Sequence, residues 1–315
     1  MSSIDVPVWA WALLGTLLLV FITIDLIAHR GDHPDSRRSA IIWTVVWITA
    51  ALGFNGFVWA QFGSQAGEQF LAAYLLEKSL SVDNLFLFIV IFAQLGIPKT
   101  EQRRVLTFGI LGALATRLVF IVLGAAALHR WHEVTYVFGA ILMITAVKLL
   151  RQPDEDTTAP PKSLLWLERH LPWTRKLDGH KFFTRLNGKL LATPLLIALV
   201  TIELTDIVFA LDSVPAAFAV SDDTFIVYSS NVFAVLGLRA LYIVLASALN
   251  GLHYLRFGLA AVLAFAGVKL LIVSWVKVPP LVSVGVIAVT IGIAVIASLR
   301  HRKRHHPAAE AAEAA

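Results

Sequence analysis

Runs of about 20 mostly apolar residues recur along nearly the whole of this 315-residue chain. A helix of that length matches the hydrocarbon thickness of a bilayer, and a backbone in lipid must satisfy its own hydrogen bonds, which helices do segment by segment. The sequence therefore predicts an all-α, polytopic membrane protein of about nine transmembrane helices, at 8–28, 40–62, 69–96, 105–127, 133–150, 190–218, 227–249, 254–275 and 279–299. Composition agrees, with 58% hydrophobic residues and a mean hydropathy of +0.76. The transmembrane domain is expected over residues 1–300 and a disordered cytoplasmic tail over 301–315. The first span is expected to stay in the mature protein, because Asp5 precedes it without a basic residue and no small-residue cleavage site follows Asp25.

Charge sets the orientation. Nineteen Lys and Arg fall in the connections after spans 1, 3, 5 and 7 and in the C-terminal tail (Arg256, at a span edge, included), against two, Arg130 and Lys277, on the other side. Basic residues accumulate on cytoplasmic loops, so the N-terminus is expected outside and the C-terminus inside. The same rule accounts for the net charge of +5 without a nucleic-acid partner. With no cysteine, a disulfide framework, a thiolate metal site and a cysteine nucleophile are all excluded. The one long connection, cytoplasmic loop 151–189, begins as a linker (QPDEDTTAPPK) and continues as SLLWLERHLPWTRKL. That mixture of Trp, Leu and cations suits an amphipathic interfacial helix, a lid or spacer on the membrane surface through which protein partners could bind.

Two of the apolar runs carry acids. LLEKSLSVDNLFLFIVIF holds Glu77 and Asp83, and LVTIELTDIVFALDSVPAAF holds Asp206 and Asp212. An ionised carboxylate at bilayer depth costs several kcal/mol, so these residues point to a polar site built for a cation or a proton.

An internal repeat gives the acids their setting. LATRLVFIVLGAAAL (from Leu114) parallels LGLRALYIVLASAL (from Leu236), matching Arg117 with Arg239, and ITAVKLL parallels FAGVKLL, matching Lys148 with Lys269. In this alignment Glu77 and Asp83 fall opposite Asp206 and Asp212, and Asn84 opposite Ser213. Repeat one is thus expected over 69–150 and repeat two over 190–275, each of three helices; three being odd, the copies are inverted. Inverted repeats place a substrate or ion site near the midplane where they meet.

Six positions separate two acids by about 9 Å along a helix, so the site must be assembled between helices. Glu77 and Asp212 are expected in an outer layer and Asp83, Asp206 and Glu203 in an inner one, with Asn84 nearby. Pro215 is expected to break span 6 and free backbone carbonyls as further ligands. Carboxylates, an amide and hydroxyls are hard oxygen donors, suited to Mg²⁺, Ca²⁺ or Mn²⁺. A competing reading has the same acids paired with Lys78, Arg117 and Arg239 simply to fix helix packing. Asp25, Lys148 and Lys269 lie near span ends, where they can snorkel. Divalent ions and protons compete for one set of carboxylates, so binding is expected to strengthen as pH rises, with Glu77 and Asp212 as the proton carriers.

The motifs EKSLSVDNLFLF and IELTDIVFALDSVPAAFA, with the nine-span layout and long central loop, resemble the TerC/Alx family of bacterial integral membrane proteins over roughly residues 8–300. The resemblance implies a place in the bacterial inner membrane, manganese export, associated in some members with tellurite resistance, and ion-handling roles for Glu77, Asp83, Glu203, Asp206 and Asp212. An exporter rather than an enzyme is expected, with Mn²⁺ as cargo and no permanently bound cofactor. The rival readings are a membrane scaffold that binds partner proteins through loop 151–189 and an exporter of small organic cations or amino acids.

Overall fold

The computed structural model describes residues 6–28, 36–131, 133–151, 162–186, 188–246, 254–276 and 278–305. The elements run α1 (Val8–Ala28), α2 (Arg37–Phe62), α3 (Ser64–Gln94), α4 (Lys99–Arg130), α5 (Val134–Arg151), α6 (Lys162–His170), β1 (Phe183–Leu186), β2 (Lys189–Ala192), α7 (Pro194–Val220), α8 (Thr224–Val235), α9 (Leu238–Ala246), α10 (Leu255–Leu271) and α11 (Pro280–His305).

This is a helical membrane protein, but length and composition qualify six helices as spans, or seven if α8 and α9 are one broken span. Six of the nine expected spans coincide with helices that qualify (α1, α2, α4, α5, α7 and α11); the other three differ in kind. The 31-residue α3 is long enough to cross, yet any 18 consecutive residues of it include at least three of Glu68, Glu77, Lys78 and Asp83. α10 has only 17 residues. The span expected at 227–249 is bent by 43° between α8 and α9, where Gly237 takes φ +81 and a Cβ would sit 2.6 Å from Cδ1 of Trp47. The break expected at Pro215 does not occur: α7 runs through it, as membrane helices can when neighbours re-satisfy the backbone. Span 6 begins at Pro194 rather than 190, because residues 189–192 are a strand and Pro is preorganised for a first helical turn. α11 continues to His305, so residues 301–305 of the expected disordered tail are helical; 306–315 lie outside the described residues.

Two apolar clusters form the core. One joins α1, α2, α3, α4, α7, α8 and α9 around Phe54, Phe70, Phe218 and Phe233, and the other joins α3, α5, α7, α10 and α11 around Leu142, Leu263 and Ile287. α3 and α7, the acid-bearing helices, contribute to both. Outward-facing Val45, Leu123, Val289 and Ile293 are exposed, as side chains facing lipid should be.

The helix pairing follows the repeat. α4 packs on α7, and its counterpart α8 packs on α3, the counterpart of α7. The third helices, α5 and α10, pack on each other and run antiparallel: Tyr136 bonds Ser274 at 2.7 Å, Gly139 faces Leu271, and Gly267 faces Met143 and the carbonyl of Gly139. Equivalent helices in opposite senses are what inverted copies require. A Cβ on Gly267 would lie 3.0 Å from that carbonyl, the close approach that small residues permit between membrane helices. Gly267→Leu is accordingly expected to cost about 1–3 kcal/mol through overpacking. Thermal unfolding of the solubilised protein checks it, with Gly285→Leu, where nothing lies within 4 Å, as the neutral comparison.

Loop 151–189 is more than a spacer. Residues 152–161 lie outside the described residues, but α6 buries Leu164 and Leu167, Leu164 packing with Ala192 and Ile197 at the start of α7, while Leu165 and Trp166 stay exposed. The β1–β2 hairpin then leads into α7. Ala192 exchanges backbone bonds with Pro172 and Thr174 at 2.9 Å each, and the Thr193 hydroxyl donates to the Lys181 carbonyl at 2.8 Å. Thr184 and Lys181 donate to Asp178, holding its carboxyl below the usual range.

Candidate functional site

At the crossing of α3, α4 and α7 a single guanidinium joins two carboxylates from the two repeats. Arg117 Nη1 donates to Glu77 Oε1, while Nη2 and Nε donate to Asp206 Oδ1 and Oδ2 at 3.2 and 3.4 Å. The three residues are 1%, 1% and 4% exposed. Glu77 Oε1 also accepts from Ser81 at 3.5 Å, whereas its Oε2 is buried without a partner. Glu203, one turn before Asp206 on the same face of α7, presses its carboxylate against Gly112 of α4.

Asp212, by contrast, is held by a different helix: it accepts from Thr145 of α5 at 2.7 Å. Asn84 is buried in α3, and Ser213, its counterpart in the repeat, is buried with its hydroxyl unpartnered. Asp83 lies in α3, and its side chain is outside the described residues. The expected two-layer stack is not reproduced for Glu77 and Asp206, since one guanidinium spans both. Among the described residues, no three His, Asp or Glu side chains are grouped so as to hold a metal ion.

The other basic residues are held elsewhere. Lys78 donates to the Ala234 carbonyl at 3.1 Å, and Arg239 to the carbonyl and Oδ1 of Asp25 at 3.2 and 3.4 Å. Lys269, expected to snorkel, is instead buried and donates to Ser283 of α11 at 3.0 Å. Arg117 and Thr145 were not among the site residues expected from sequence. The match of Arg117 to Arg239 in the repeat was the available signal for the first, and nothing in the sequence marks the second.

Charge is unbalanced here. With all groups ionised, Arg117 is shared by two buried carboxylates, Glu77 and Asp206, with half-buried Glu203 one turn before Asp206, and such an excess of negative charge attracts a cation or protons. Together, the fold and the cluster define a class: polytopic helical membrane proteins with two inverted three-helix repeats and a charged centre where they meet. The profile of the integral membrane protein TerC family matches residues 62–306, and the chain belongs to that family. It is 47% identical over 303 residues to the uncharacterized membrane protein STKORF319 of Myxococcus xanthus, covering 96% of this chain and 95% of the relative. It is 39% identical over 298 residues, 91% and 92% of the two chains, to Alx of Escherichia coli (strain K12), whose name describes a "putative membrane-bound redox modulator". An uncharacterized membrane protein of Rickettsia bellii is 33% identical over 295 residues, 92% and 97% of the two chains. No solved structure matches.

Proposed function

We propose that this protein exports divalent cations, Mn²⁺ first among them, across a bacterial inner membrane, without enzymatic activity and with no cofactor of its own. The observation that carries the proposal is the buried cluster of Glu77, Arg117 and Asp206, where Glu77 Oε2 has no partner and Glu203 adds negative charge. Its donors are hard oxygens, which favour Mn²⁺, Mg²⁺ or Ca²⁺ over soft ions. Arg117 supplies the positive charge between the two acids, so binding of a divalent ion there requires the guanidinium to give way. Asp83 and Asp212, with Asn84, extend the donor set along the same two helices. The redox modulation in the name of the Alx relatives finds no thiol here, since the chain lacks cysteine. Any such effect of this protein would run through the ion it moves.

Mn²⁺ flux into proteoliposomes containing only this protein tests the reading: saturable uptake in the export direction is expected. A protein that moves no ion and whose activity in cells depends on loop 151–189 would be a scaffold instead; transport of an organic cation or an amino acid in place of Mn²⁺ would make it an exporter of that class.

Orientation is tested separately. In a chain without native thiols, Ser3→Cys is expected to react with an impermeant maleimide on intact cells whose outer membrane has been opened. Ala309→Cys should react only after the inner membrane is breached. Labelling of the tail from outside would reverse the topology.

A further inference from the structure

The two repeats differ at one place in their middle helices. In repeat one, α4 is unbroken from Lys99 to Arg130, with Ala115 two positions before Arg117. In repeat two, Gly237 stands two positions before Arg239, and the helix is bent there by 43°. The straight helix delivers its arginine to the carboxylates. The bent one hands its arginine to Asp25 of α1.

The repeat alignment makes this asymmetry informative. Glu77 corresponds to Asp206, so the carboxylate pair maps onto itself; Arg117 corresponds to Arg239, so each arginine has an equivalent claim on that pair. The bent span is anchored beside the acids: Lys78, adjacent to Glu77, is bonded to the carbonyl of Ala234 at 3.1 Å, five residues before Arg239 in sequence. Asp25, Arg239 and Gly237 line a small cavity with Ile22, Thr107 and Leu236, so the guanidinium is not close-packed on that side. Glycine can enter a regular helix as readily as it holds a positive φ, so the bend can straighten without strain at that residue.

We propose that Arg239 is the alternate counter-cation of the Glu77–Asp206 pair. In the course of transport Arg117 releases the pair, the α8–α9 joint straightens, and Arg239 leaves Asp25 to engage the same two acids. Asp25 is the resting place that keeps Arg239 off the site while the ion is bound. Inverted-repeat carriers alternate by moving one repeat against the other around a fixed site, and here the two arginines mark which repeat is engaged. This inference rests on the transport reading above for its cargo, but the exchange itself can be read without any ion.

The decisive variant is Asp25→Asn with Arg239→Gln, which removes both partners and leaves neither charge buried alone. The full-length protein carrying this pair is expected to bind Mn²⁺ as the unmodified protein does and to transport it at less than a tenth of the rate. Flux within twofold of the unmodified protein would overturn the proposal. Asp25→Asn alone removes the charge that opposes Arg239 while the bond to the backbone carbonyl of residue 25 remains; the weaker hold lets Arg239 compete for the pair, so Mn²⁺ affinity is expected to fall about tenfold and to recover in the double variant, and unchanged affinity in the single variant also overturns the proposal. An ion-free measurement separates the two ideas. Thr107→Cys, on the wall of the Asp25–Arg239 cavity, is expected to react with a small maleimide several-fold faster when Arg117→Gln lets Arg239 move to the acids. An unchanged rate refutes the exchange, whereas a faster rate in a protein that moves no Mn²⁺ upholds it and refutes only the cargo.

Discussion

Arg117→Gln combined with Arg239→Gln is expected to give a protein that folds stably only when a divalent cation is supplied. Together these substitutions strip the Glu77–Asp206 pair of its present guanidinium and of the only equivalent one in the repeat. Breaking a buried ion pair by deleting one partner costs about 3–5 kcal/mol, because the other charge is left uncompensated. An ion bound to the folded state returns about 2.7 kcal/mol at a concentration 100 times its Kd. Thermal unfolding of the solubilised double variant, with and without Mn²⁺, is the measurement. Its midpoint should lie well below that of the unmodified protein without ion and recover most of the gap with it, whereas the unmodified protein should respond far less. A double variant as stable as its parent in the absence of Mn²⁺ would mean that the acids need no cation, and the site assignment would fall with that result.

Asp206→Asn and Asp212→Asn are expected to reduce Mn²⁺ flux to background, at least a hundredfold, with nearly normal amounts of protein in the membrane. Asn keeps the volume of Asp and loses its anionic charge. In Asp206→Asn, Arg117 retains Glu77 as a partner, so its charge is not stranded. In Asp212→Asn, the amide oxygen can still accept the hydrogen bond that Thr145 now gives at 2.7 Å, which makes this variant the cleaner of the two. Flux per molecule and protein level are measured together. Poor accumulation with normal flux per molecule would identify these acids as packing elements.

The acids and the repeat were legible in the sequence because charge inside an apolar run is conspicuous and because matched residues at matched spacing survive divergence. Helix sense followed from parity alone, and the antiparallel α5–α10 contact accords with it. Pairing was another matter. Glu77, Asp206, Asp212, Lys78, Arg117 and Arg239 offer several sign-compatible combinations, and only the packing of α4 against α7 selects Arg117 for both Glu77 and Asp206. Side-chain length explains the failed layer model: a guanidinium presents donors on two sides and can bridge acids that a count along one helix would keep apart. The break in a span was expected at Pro215 and occurs at Gly237, since proline removes one hydrogen bond whereas a glycine at positive φ redirects the chain. One signal was present and unused. Asn187-Gly188 is a dipeptide strongly associated with tight hairpin turns, and Gly188, just before β2, has φ +76.

The segment from Pro172 to Thr193 has a practical bearing on work with this chain in living cells. It lies between the membrane-crossing helices, is rich in basic residues, and is at first sight the natural spot for a fluorescent reporter or an affinity tag. It is, however, stitched to Ala192 and Thr193, the residues that lead directly into α7, and α7 carries Glu203, Asp206 and Asp212. A reporter spliced into that hairpin would pull on the helix it was meant to observe, and its signal would report the disturbance. The end of the chain beyond His305 is the better place to attach one.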